Sequence, residues 1–145
     1  MAKFTYKYES ITRIKETLQK KVQKEVSSID LEIEKLYKEI DDIIEEINKS
    51  IIDPTKKRIS ARDLQFAKNY IKELNDNINR IEGEVEKLKI KRQEKIQELI
   101  KKSKEAKIFN TLKDIHHENF NIEEKRKEMI DLDEIATQKF TRAKK

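Results

Sequence analysis

The sequence predicts an all-α protein: a long two-helix antiparallel coiled-coil hairpin, with the second helix extending beyond the first. Three observations carry that prediction. The apolar residues lie on two tracks that alternate steps of three and four, the spacing of a coiled-coil seam. A single short segment, holding the only proline, separates the tracks. Glycine occurs once in 145 residues, so loops have little place.

The first track reads Ile11, Ile14, Leu18, Val22, Val26, Ile29, Ile33, Leu36, Ile40, Ile43 and Ile47. The second reads Leu64, Ala67, Ile71, Leu74, Ile78, Ile81, Val85, Leu88, Arg92, Ile96, Leu99 and Ser103. Folded back on itself, the chain pairs Ile40 with Leu74 and Ile33 with Ile81, opposite numbers adding to 114 throughout. Each track also takes two consecutive four-residue steps, at Leu18-Val22-Val26 and at Leu88-Arg92-Ile96. In this pairing Val22 faces Arg92, so the two phase breaks stand at one height, as an antiparallel seam requires.

Helix one is expected over about 8–50, with Ser10 as its N-cap and Phe4, Tyr6 and Tyr8 forming an extended lead. Asp53-Pro54 ends it, because a residue before proline is pushed out of the helical region. The tip spans about 51–60. Ser60 then caps helix two, with Asp63 in its first turn beside the positive helix end. Helix two runs over about 60–140 with no stop signal, and the whole chain, 1–145, reads as one domain. The two helices would measure about 60 Å and 120 Å at 1.5 Å per residue. From about Asn110 onward helix two has no partner in its own chain, yet it carries Leu112, Ile115, Phe120, Ile122, Met129, Ile130, Leu132, Ile135 and Phe140. A lone helix cannot bury such a face, so the overhang calls for a partner or for a kink near Asn119-Phe120-Asn121.

Composition narrows the function classes. Charged residues make up 43% and hydrophobic ones 35%, too polar for a globule but suited to a seam of stacked layers. The 34 basic and 29 acidic residues are mixed along both helices, as in pairs Glu34/Lys38 and Glu98/Lys102, which marks a solvated face rather than a nucleic-acid surface. No cysteine is present, so there is no disulfide framework and no thiolate chemistry. The first thirty residues hold no long apolar run, and the cytoplasm is the expected compartment.

No catalytic constellation emerges. His116 and His117 are adjacent, about 100° apart on a helix, with no third ligand, so an interface role is expected rather than a metal site. Asp131, Asp133 and Glu134 read as a solvated acidic stretch, and no glycine-rich phosphate loop exists. Neither enzymatic activity, a cofactor nor a small-molecule substrate is expected. Arg92 on the seam is expected to pack its stem and turn its guanidinium outward. Gly83 lies off the seam at a small helical cost. Near the tip, Phe66 and Tyr70 flank the seam beside the basic Lys56-Lys57-Arg58 and form either a broadened seam or a docking patch.

Both ends of the chain resemble a known family. Lys3-Phe4-Thr5-Tyr6-Lys7-Tyr8-Glu9-Ser10-Ile11, followed by Arg13-Ile14-Lys15-Glu16, is similar to the aromatic N-terminal signature of the flagellar export protein FliJ family. Glu128 and the closing Asp133-Glu134-Ile135-Ala136 resemble that family's C-terminal acidic motif. The resemblance implies a component of the flagellar type III export apparatus, at the inner face of the membrane, with a hairpin similar to the stalk of rotary ATPases. It implies three partners: the hexameric export ATPase, the membrane export gate and export chaperones. The ATPase-facing residues it implies are Arg13, Lys20, Lys21, Leu112, Phe120, Lys125, Met129, Asp133, Glu134 and Phe140, and Phe66 and Tyr70 are the gate-facing candidates. The alternative is a free-standing coiled coil that self-associates through its overhang.

Overall fold

A computed structural model describes residues 2–53 and 58–143. The chain forms two helices, α1 over Glu9–Ser50 and α2 over Ala61–Ala143. They pack against each other as a hairpin whose second helix is the longer. The packing divides into two units, one made of Met1–Lys20 with Ile100–Lys145 and the other of Lys21–Leu99.

The helix boundaries follow local chemistry. The first helical bond of α1 runs from the Thr12 N–H to the Tyr8 carbonyl at 2.9 Å, and Glu9 supplies a carboxylate at the positive end. Ser10 therefore sits inside the first turn and is not the cap. At the start of α2 the Asp63 N–H donates to Ser60 Oγ at 3.1 Å, while the Leu64 N–H donates to the Ser60 carbonyl, the expected N-cap arrangement. α1 stops at Ser50, whose hydroxyl donates back to the Glu46 carbonyl. The proline expected to stop α1, and Lys56 and Lys57 beside it, lie outside the described residues. α2 runs without a break through Asn119-Phe120-Asn121, so the expected alternative of a kink there does not occur.

Within the second unit, Ile40, Ile81 and Val85 form the buried core, with Ile33, Leu36, Ile43 and Ile78 packed around it. The seam residues are those expected, but the register is not. Ile40 meets Ile81 rather than Leu74, a displacement of seven residues. Arg92 pairs with Asp30 instead of facing Val22, and Lys95 Nζ lies 2.7 Å from Glu25. A slip of one heptad returns every apolar residue to the seam, so periodicity is blind to it.

Towards the start of α1 the burial departs from the expected track. Thr12 is 2% exposed, whereas Ile11 and Ile14 are 41% and 58% exposed. Thr12, Lys15 and Gln19 share the seam there with Leu18, Val22, Val26 and Ile29. On α2, Arg92, Lys95, Leu99, Lys102 and Ala106 line the same side, with the expected Ile96 and Ser103 half-buried beside them. Polar side chains hold these seam positions because each finds a bond. Thr12 Oγ1 donates to the Tyr8 carbonyl, Lys15 Nζ lies 3.2 Å from Glu105, and Gln19 donates to Ser103 Oγ at 3.1 Å.

Candidate docking surface

The first unit is closed by a short non-helical strap, residues 2–8, laid against α2. Alternation places Phe4 and Tyr6 on one side of the lead, and a turn closed by the Glu9 N–H on the Tyr6 carbonyl brings Tyr8 to the start of α1. Tyr6 is the most deeply set, 6% exposed, and its hydroxyl donates to the Phe109 carbonyl at 2.9 Å. The Phe4 ring stands edge-on to His117 at 4.8 Å and tilted against Phe120 at 5.5 Å. His116 is flanked by Tyr6 at 5.6 Å and Tyr8 at 6.3 Å. These separations fall in the range where aromatic pairs attract. Lys113 adds an ion pair with Glu9 at 3.0 Å.

The strap corrects one expectation. α2 does not lose its in-chain cover at Asn110, because the N-terminal aromatics reach as far as Phe120. Exposure sets in after that point: among residues 121–143 only Glu124 is even half-buried. Ile122, Met129, Leu132, Ile135 and Phe140 are each more than half exposed. Ile108, Ile115, Ile122 and Met129 recur at intervals of seven, marking a second apolar track on α2 distinct from the seam. Ile108, Leu112 and Ile115 line an open hollow with Lys104, Lys107 and Thr111. Ile108 was not among the expected docking residues, and the seven-residue interval was the signal that would have revealed it.

The sequence-expected residues divide between the two units. Arg13 is exposed, 3.6 Å from Glu9, and Lys20 is exposed at the end of the same stretch. Lys21, also exposed, belongs to the second unit. Leu112 lies in the hollow, whereas Phe120 is half-buried against the strap, so these two serve different surroundings. Lys125, Met129, Asp133, Glu134 and Phe140 are all exposed on the closing turns of α2. In the second unit Phe66 is 66% exposed, and Tyr70 is 43% exposed with its hydroxyl donating to Glu46 at 3.2 Å. That acceptor pushes the Tyr70 phenol above its ordinary range, since the carboxylate favours the neutral, donating form.

The electrostatics are those of paired surface groups. The hydrogen bond from Lys113 holds the Glu9 carboxyl below its ordinary value, and Lys15 does the same for Glu105. No group of three His, Cys, Asp or Glu that could hold a metal ion occurs among the described residues. His116 and His117 are engaged in ring contacts instead. No helix among the described residues is long and apolar enough to cross a membrane.

Comparison with curated proteins and with solved structures finds no match. A family model described as Flagellar FliJ protein matches residues 4–145, from the first aromatic of the strap through the exposed close of α2. The helical hairpin, the aromatic start and that match together establish that the chain belongs to the FliJ family, components of the flagellar export apparatus.

Proposed function

We propose that this chain is the stalk of the flagellar export ATPase. In this reading the first unit engages the hexameric ATPase, promoting its assembly and hydrolysis, and the hairpin links it to the membrane export gate and to export chaperones. The protein then resides in the cytoplasm, peripherally attached at the flagellar base. The observation that supports the reading is the continuation of α2 past Phe120 with large apolar residues exposed, in a chain whose family belongs to the export apparatus. Exposed Met129, Leu132 and Phe140, interleaved with Lys125, Asp133 and Glu134, suit a partner that surrounds a helix. In the same reading Arg13, Lys20 and Lys21 on α1 also meet the ATPase, and Phe66 and Tyr70 serve the gate.

The test is the hydrolysis rate of the cognate export ATPase titrated with this protein, with ring assembly followed alongside. The full chain is expected to raise the rate several-fold and favour the hexamer. A chain truncated after Phe120 is expected to lose both effects while keeping its helical circular dichroism. Equal stimulation by the truncated chain would move the contact off the α2 end. No binding by the full chain would overturn the stalk reading.

A further inference from the structure

We infer that the polar pairs flanking the seam act as a register lock between α1 and α2. When they are weakened, α1 slides one heptad along α2 and uncovers His116 and Phe120. Two registers one heptad apart present nearly the same apolar layers. Ile40 packs with Ile81 in the observed register and would pack with Leu74 in the other, and Leu36 would exchange Val85 for Ile78. Burial of aliphatic surface therefore discriminates weakly between them. What differs within Lys21–Leu99 is the polar set. Only the observed register gives Arg92 the Asp30 carboxylate and gives Lys95 the Glu25 carboxylate. In the other, Arg92 would lie level with Val22 and Lys95 with Gln19, and neither of those carries a negative charge.

The first unit carries its own members of the same set. Lys15 with Glu105, Gln19 with Ser103 and Glu9 with Lys113 all belong to the observed register. Each such pair is weak alone, being partly exposed and screened by salt. Together with the ring contacts of the strap, they hold the observed register against one that the aliphatic layers leave close in energy, as a polar seam residue fixes register in coiled coils.

A slip has a defined consequence at the strap. Phe4, now against His117 and Phe120, would move seven residues back along α2, towards Asn110 and Lys113. His116 and Phe120, half-buried in the observed register, would then join the exposed face that follows them. The lock thus sets how much of α2 is open to a partner, whichever partner that is. Partners that pair with Glu25, Asp30 or Arg92, or that grip the uncovered turns, would shift the balance by binding one register better than the other.

The chain has no cysteine, so paired cysteines report register without background. A disulfide closes only when its two Cα atoms lie within about 7 Å. Ile40→Cys with Ile81→Cys reports the observed register, and Ile40→Cys with Leu74→Cys reports the slipped one. The full chain is expected to form the first bond readily and the second at least tenfold more slowly. Adding Glu25→Gln and Asp30→Asn is expected to raise the yield of the 40–74 bond at least tenfold. Raising salt to about 1 M tests the same pairs with no added substitution, so loss of folding in the quadruple variant would not hide the answer. A 40–74 yield unchanged both in high salt and in a folded quadruple variant would overturn the lock. So would a native chain that forms the 40–74 bond as fast as the 40–81 bond.

Discussion

Gly83 is the one glycine of the chain, and a Cβ built there meets nothing within 4 Å. It lies inside α2 with no positive φ to justify it. Gly83→Ala should therefore stabilise the protein by about 0.5–1 kcal/mol, chiefly by restricting the unfolded chain. A thermal melt followed by circular dichroism would show a midpoint raised by about 2–4 °C; an unchanged or lower midpoint would reveal a packing role for the bare backbone. Charge pairing supplies a second expectation at this scale. The close ion pair with Lys95 holds Glu25 below the ordinary 4.5, and Glu25, followed by Glu98, holds Lys95 above 10.5. The Glu25 contribution is complete above pH 4.5 and disappears as pH falls through its lowered value. That of Lys95 is complete below pH 10.5 and disappears as pH rises through its raised value. Stability should decline on both sides of that plateau. Glu25→Gln should make the acid side shallower, leaving Glu9 and Glu105 to supply the remainder, and an acid limb of unchanged steepness would discount the pair.

At the scale of elements, the cap on α2 is the most isolated contributor. Ser60 accepts from the Asp63 N–H through its hydroxyl, so Ser60→Ala should cost about 1 kcal/mol, read as a lower melting midpoint. Ser60→Asp, which restores an acceptor, should recover most of the loss, and a failure to recover would point to a different role for the hydroxyl. Both helices, their approximate ends and this cap were legible in the sequence, because heptad spacing and capping chemistry are local. Register was not legible. A seven-residue displacement maps the seam onto itself, and only the partners of Arg92 and Lys95 separate the alternatives. The seam around Thr12, Lys15 and Gln19 was missed for a related reason: Ile11 and Ile14 beside them look like seam residues, while the polar ones are buried through bonds that hydropathy does not show. The strap was half legible. Alternating aromatics announced an extended lead, but their reach to Phe120 depends on register, and so the start of the exposed α2 end was placed too early.

At the scale of the whole molecule, the packed turns and the exposed close of α2 should behave differently although one helix carries both. Residues 125–127 are Lys-Arg-Lys on turns whose side chains are exposed, whereas the seam-flanking cations from Lys95 to Lys113 include several that are held by carboxylates. Within α2, limited trypsin digestion should cut first at 125–127, because local opening is easiest where few apolar contacts must break. Mass spectrometry of the earliest fragments checks this, and first cuts within 61–99 would contradict it. The mixed charge that made the sequence hard to assign also has a purpose at this scale. A seam of few apolar layers leaves the choice of partner and register to polar pairs along its flanks. The tyrosine seated under the strap has one further consequence. With no tryptophan in the chain, near-ultraviolet absorption and emission come mainly from four tyrosines. Only Tyr6 combines deep burial with a hydroxyl bonded to a main-chain carbonyl. Freeing that phenol into water alters its spectrum, so the unlabelled protein carries an optical signal of its own clasp opening, readable in the same cuvette as any binding experiment.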